Sequence, residues 1–218
     1  RPFGENCGFT LGEGAQVAIL MDDALALELG ADIMGSVPDV FVNADGIKKS
    51  ITSPGPGNYI TMAKSAALAT SLLGKEALQK RSFILAHGSS TPQNRVTESL
   101  IYHKVAQTFA IDSWKVTAPK AYVGHTIAPA SGDQLAIALG VFSHNIMPGI
   151  TTIDKVADDV YAEHLDIRNS HYDCGDMDIA FINSKGFGGN NATATVLSAK
   201  VTLQMLAKRH GEKALSDY

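Results

Sequence analysis

Three stretches of the chain end an apolar run in groups able to donate hydrogen bonds: ILAHGSSTPQNRVTES at 84–99, KAYVGHTIAPASG at 120–132 and NSKGFGGNN at 183–191. His87 stops the first run. Lys120 and His125 stand five residues apart in the second, and Phe187 lies between glycines in the third. Loops at the strand ends on one side of an α/β sheet are where such folds bind ligands. Brought together, the three would supply two imidazoles, one ammonium and glycine-rich backbone N–H groups. That set suits a thioester or carbonyl reaction in which negative charge develops on oxygen. A lone strand-end histidine is more often a hydrogen-bonded core residue, so the functional reading of His87 rests on the company it keeps.

The elements that must position these groups alternate along the chain. In GEGAQVAILMDD an apolar run lies between turn glycines and an acidic pair, which predicts a buried strand followed by a short helix over 24–30. Asp22 and Asp23 read as solvent-facing or as the cap of that helix, not as a metal or acid–base pair. A strand is expected at 37–42, turn chemistry in ITSPGPGN, and a helix over 59–73. Strand 83–86, helix 95–109 with Ile101, Val105 and Phe109 on one face, strand 115–117 and helix 134–143 follow. The last of these is apolar nearly all round, which predicts a helix buried between layers. MDIAFINS and ATATVLSA read as two strands of a hairpin turned by GFGGNN, and an amphipathic helix is expected from Val201 onward. The class is α/β, in more than two layers.

Composition narrows the function. With 218 residues, 45% of them apolar, the chain can bury a core as one large domain or two small ones. No run approaches the roughly 18 apolar residues of a membrane span, and no basic-then-apolar signal segment opens the chain. A net charge of −4 without a long basic block argues against nucleic acid as a partner. Cys7 and Cys174 stand in dissimilar contexts and make neither a disulfide framework nor a metal spacing, which agrees with a reducing, cytoplasmic setting. GFGGNN lacks the lysine and the strand-to-helix setting of a phosphate loop. His103, His144, His164, His171 and His210 have no comparable context and read as surface or packing residues. The first residue is arginine, so the polypeptide reads as a fragment.

In combination the motifs resemble the C-terminal half of the β-ketoacyl-acyl-carrier-protein synthases, the condensing enzymes of fatty-acid and polyketide synthesis. RPFGENCGFTLGEGA is similar to that family's RPFD…GFxxGEGA, SITSPGPG to its TxPxP loop, AHGSSTPQN to HGTxTPxND, PKAYVGH to KSxxGH, and NSKGFGGNNA to NSFGFGGTNA. The segments occur in the family's order across 1–192, and their joint register is what makes the resemblance specific. It implies the layered α-β-α-β-α fold of the thiolase superfamily. Residues 1–200 would form the C-terminal ketosynthase half-domain and 201–218 a helical tail.

The resemblance also implies roles. His87 and His125 match the two histidines that stabilise the enolate left when malonyl-carrier protein loses carbon dioxide. Lys120 and Glu98 match the charge network behind them. Phe187 matches the gating phenylalanine whose N–H joins the oxyanion hole, and Ser89 and Thr91 match the hydroxyls that hold the pantetheine arm. No redox or nucleotide cofactor and no metal is implied. The implied partners are an acyl carrier protein, an N-terminal half bearing the cysteine nucleophile, and a second copy in a homodimer. Three positions depart from the pattern: Arg95 stands for an aspartate, Gln134 for a glutamate and Lys185 for a phenylalanine.

The family nucleophile precedes the RPF motif, where this sequence begins. Neither Cys7 nor Cys174 has a histidine or helix start beside it in sequence to lower its pKa, and both read as structural. Other functions fit less well. Thiolases carry a second cysteine in the last glycine-rich loop, where this chain has 186–190, and no G-x-S-x-G elbow of a serine hydrolase occurs. A non-catalytic, chain-length-factor-like partner subunit would not need His87, Lys120 and His125 together. A malonyl decarboxylase would lack only the nucleophile.

Overall fold

The computed structural model describes residues 1–5, 8–47 and 55–216. Cys7 and positions 50–54 of the SITSPGPG loop lie outside them. In chain order the elements are α1 (Asp23–Glu28), β1 (Gly35–Ala44), α2 (Gly57–Leu73), α3 (Lys75–Lys80), β2 (Ser82–Leu85), α4 (Pro92–Phe109), β3 (Trp114–Thr117), α5 (Lys120–Val123) and α6 (Ala130–His144). Then come β4 (Ile146–Met147), β5 (Leu165–Ile167), β6 (Tyr172–Asp173), β7 (Ile179–Gly186), β8 (Asn190–Ser198), α7 (Ala199–His210) and α8 (Glu212–Ser216).

Six strands form one mixed sheet in the order β1-β8-β7-β2-β3-β5, and β4 pairs with β6. The central strands β7, β2, β3 and β5 run parallel, while β8 and β1 are antiparallel additions. All four residues of β2 are buried, the pattern of a strand covered on both faces. Proline cannot donate to a ladder, and Pro38 sits accordingly in the edge strand β1, where the register with β8 shifts between Ser36 and Asp39.

Alternate residues send the sheet's two faces into two cores. Ile84, Val116, Phe181 and Leu197 pack on α2, α3 and α4 through Met62, Ala66, Leu78, Ile101, Tyr102 and Val105. Phe83, Leu85, Ala180, Ile182 and Val196 pack on α6 through Ala138 and Val141. The result is helix, sheet and helix, the mixed α/β class expected. The hairpin of β7 and β8 forms around the glycine turn as the sequence predicts. Helix α4 starts three residues earlier than expected because Thr91 caps it and Pro92 occupies its first turn, where a missing N–H costs nothing. Asp22 caps α1 by accepting from Leu25 N–H at 2.8 Å. The amphipathic helix expected from Val201 is α7, which buries Val201 and Leu206.

Two expectations fail. The apolar stretch at 16–21 forms no strand: Val17, Ile19 and Leu20 are 93%, 81% and 79% exposed. A strand needs a neighbouring ladder for its N–H and C=O groups. Apart from the bridge of Leu11 to His125, no ladder among the described residues flanks this segment. Helix α6 is likewise not enclosed on all sides. It buries Ala130, Gln134, Ala138 and Val141 against the sheet, while Leu135, Ile137 and Phe142 are only half-buried. No helix of the described residues is long and apolar enough to cross a membrane.

Candidate active site

Parallel pairing decides where the chemistry collects. β2 lies between β7 and β3 with Leu85 level with both Ile182 and Thr117, so β2 and β3 end side by side while β7 runs on past them to Gly186. The chain passes from β2 to His87 and from β3 to Lys120, beside Asn183 of β7. At the first end Gly88 takes φ +52, and a Cβ there would meet Ala118 at 2.9 Å, so the turn that presents His87 needs glycine. His125 arrives from beyond α5 after Gly124, at φ +72, and is tied to the N-terminal segment: its N–H donates to Thr10 C=O at 2.7 Å and its C=O accepts from Gly12 N–H at 3.0 Å.

The two imidazoles meet edge to face, with centroids 5.3 Å apart and planes at 80°. His87 Nδ1 accepts from Lys185 N–H at 3.4 Å, and His125 Nδ1 accepts from Ile127 N–H at 3.1 Å. A neutral imidazole that accepts at Nδ1 carries its proton on Nε2. Both rings therefore offer an Nε2–H. Ile127 holds φ +65, unusual for a β-branched residue, which places about 1–3 kcal/mol of backbone strain at the turn that orients His125.

Electrostatics keep the rings neutral. Burial first, then the charge of Lys120, pushes the His87 imidazolium far below its ordinary range, with Glu98 opposing and His125 and Lys185 adding to the fall. His125 is lowered by burial and by Lys120. Burial also brings Lys120 down to about 8, against the pull of Glu98 and Asp133, and its Nζ donates to His87 C=O at 2.7 Å.

Glu98 is fully buried and accepts from His87 N–H at 2.7 Å, Gly88 N–H at 2.9 Å, Asn94 Nδ2 at 2.8 Å, Asn183 Nδ2 at 3.0 Å and the Tyr102 hydroxyl. Burial alone would raise its pKa, but its interactions with His87 and Lys185, and then the hydrogen bonds from Tyr102 and Gly88, hold it below the usual range. Asn183 continues the chain of contacts to Asn58 and Thr193. Such an arrangement can hold two preorganised neutral donors toward an oxygen that gains negative charge.

With this geometry in place, the comparisons with known proteins decide the family. Residues 34–154 match the family described as β-ketoacyl synthase, C-terminal domain. The chain belongs to the β-ketoacyl synthase family. It is 59% identical, over its whole length, to the β-ketoacyl-[acyl-carrier-protein] synthase FabY of Pseudomonas aeruginosa, and 30% identical over 88% of the chain to a 3-oxoacyl-[acyl-carrier-protein] synthase 2 of Synechocystis. The crystal structure of the P. aeruginosa ketosynthase FabY superimposes on 99% of the chain with a TM-score of 0.97. The ishigamide ketosynthase/chain length factor covers 91% of the chain at 27% identity and a TM-score of 0.73. The chain spans 34% of the FabY sequence and 45% of the Synechocystis one. The fold is the thiolase-like one the sequence implied. The family match begins at Met34, beyond the exposed apolar stretch at 16–21.

Within this β-ketoacyl synthase chain the residues singled out from sequence occupy different settings. His87, His125, Lys120 and Glu98 form one connected cluster. Phe187 sits at the tip of the β7–β8 hairpin, 81% exposed. Thr91 caps α4 by accepting from Asn94 N–H at 3.3 Å, and its hydroxyl lies 3.4 Å from that of buried Ser89. Of the departures, Arg95 pairs with Asp159 at 2.7 Å and donates to Gly4 C=O at 3.0 Å. Gln134 is fully buried, and its Nε2 donates to the carbonyls of Leu85, Ala86 and Asn183 at 2.8, 3.0 and 3.0 Å. A glutamate has no hydrogen to give those carbonyls when ionised. Cys174 is half-buried, donates to Asn145 C=O at 3.2 Å, and has its thiol pKa raised by burial, which fits a structural residue.

Sequence reasoning missed Asn94, Tyr102 and Asn183. A signal existed for the first two, since they stand four residues before and four after Glu98, on one face of its helix. Asn183 ends the apolar run IAFI much as His87 ends its own.

Proposed function

We propose that this chain supplies the histidine–histidine–lysine half of the active site of a β-ketoacyl-acyl-carrier-protein synthase. The reaction is the decarboxylative Claisen condensation of malonyl-carrier protein with an acyl thioester in fatty-acid or polyketide synthesis. The observation that carries the reading is the edge-to-face pair of neutral imidazoles, each accepting at Nδ1 and so carrying an Nε2–H to donate.

The bond between the malonyl carboxyl carbon and the α-carbon breaks, and carbon dioxide leaves. The electron pair passes to the thioester as an enolate, whose oxygen accepts from His87 and His125. The α-carbon then attacks the acyl carbonyl of an acyl-cysteine, and the thiolate departs. That cysteine belongs to polypeptide outside this sequence. Lys120 and Glu98 hold His87 in place, Phe187 gates the site and lends its N–H to the oxyanion, and Ser89 and Thr91 bind the pantetheine arm of the carrier protein. The group needs no redox cofactor, because carbon dioxide loss supplies the carbanion.

The exposed apolar residues at 17–21 give the cysteine-bearing half a surface to pack on, and the half-buried outer side of α6 gives it another. Residues 1–200 act with that half and 201–218 form a helical tail. The assembled enzyme works in the cytoplasm as a homodimer.

The test uses the full protein carrying this sequence, with malonyl- and acyl-carrier protein. His87→Ala and His125→Ala should each lower the rates of decarboxylation and condensation by about 10²–10³, the usual cost of one lost oxyanion donor. Near-normal rates in either variant would sink the assignment.

A further inference from the structure

Away from the histidine pair, the fold assembles a second group of ligating side chains, including two histidines that sequence alone left as surface or packing residues. His103 lies on α4, and Glu163 and His164 form the turn just before β5. One nitrogen of each imidazole and one carboxylate oxygen lie within 4.8 Å of one another. The rings of His103 and His164 stand 5.0 Å apart at 35°. His103 is only 6% exposed, and its Nδ1 is buried without a hydrogen-bond partner among the described residues. A buried imidazole nitrogen lacking a partner is rare and calls for one.

We propose that His103, Glu163 and His164 form a binding site for a divalent transition-metal ion of the zinc class. Two imidazole nitrogens and a carboxylate oxygen are a zinc donor set, with bonds of about 2.0–2.2 Å that leave a coordination position for water. Those bonds bring ligand atoms to about 3.4 Å from one another in a tetrahedral site. The ligand atoms here lie within 4.8 Å of one another, so a bound ion would draw them together, and the exposed Glu163 side chain has room to move.

The frame is already fixed. Trp114 N–H of β3 donates to His164 C=O at 2.9 Å, and Tyr161 N–H donates to Ser99 Oγ of α4 at 3.1 Å. A bound ion would bolt the turn to α4, the helix that carries Glu98 five residues earlier and so holds His87. Its role is structural, and it takes no part in the condensation.

The experiment takes the full protein without a polyhistidine tag, strips it with chelator, and titrates it calorimetrically with zinc chloride. A parallel titration with cobalt(II) follows the visible d–d bands that report low coordination number. One site should appear that weakens at least about tenfold in Glu163→Gln/His164→Asn, a variant whose metal-free melting matches the parent because both side chains reach solvent. Identical isotherms in parent and variant would overturn the proposal. So would binding that survives in this variant but disappears in His125→Asn, since the ion would then sit at the histidine pair.

Discussion

The back and the front of the histidine pair are built by opposite rules. Behind His87, Glu98 has five donors around it, Asn183 links it to Asn58 and Thr193, and Gln134 seals the carbonyls of the β2 and β7 ends. In front, His125 is half-buried, Phe187 is 81% exposed, and both imidazoles keep an Nε2–H with no acceptor among the described residues. The back spends its polar groups on one another. The difference teaches that the polar groups behind the histidines fix their position, while the donors in front are left for a further partner.

The comparison breaks most severely at its hub. Glu98→Ala takes one buried acceptor away from five donors and should lower stability by roughly 3–5 kcal/mol, read from urea denaturation midpoints. The His125→Ala variant, whose loss is one of rate, should keep a midpoint close to the parent's. Equal stability losses in the two would erase the distinction between back and front.

Gln134→Glu sharpens the same point on a smaller scale. The change puts an acceptor against three carbonyl oxygens and should destabilise by about 1–3 kcal/mol, visible as a lowered melting temperature. A neutral or stabilising outcome would mean that the back tolerates an acid where it now has an amide.

The mildest effect is the pH dependence. The folded-state pKa values of His87 and His125 are lowered, so below the ordinary histidine value near 6.5 the unfolded chain binds more protons than the folded one. Stability should therefore fall as pH drops through that value, and His87→Gln should flatten the slope. Lys120, lowered from 10.5 to about 8, adds a separate loss as pH falls between those values. Stability rising on acidification below neutrality would contradict neutral imidazoles in the fold.

Legibility in the sequence followed the range of the interactions. The strands at 83–86 and 115–117, the hairpin at the glycine turn and the helix after Thr91 were readable because apolar period, capping and turn chemistry are local. Helix α4 was missed only by its first three residues, where the cap decides. The stretch at 16–21 has the pattern of a buried strand and is exposed nonetheless, because a strand exists only with a neighbour to pair with. Helix α6 misled in the same way: its apolar outer side says that it can be covered, not that these residues cover it. His103 and His164 lie 61 positions apart in the chain, too far for any spacing rule to join them.

The sequence by itself determined the fold class and the family, and it singled out His87, Lys120, His125 and Glu98, since these are written in residue type and short-range order. Only the tertiary structure decided which nitrogen of each imidazole carries the proton, why position 134 holds an amide, and that two histidines read as surface or packing residues stand beside a glutamate. Those facts rest on pairing between parallel strands and on contacts between distant segments. Their energies depend on distance, burial and direction, which no linear pattern contains.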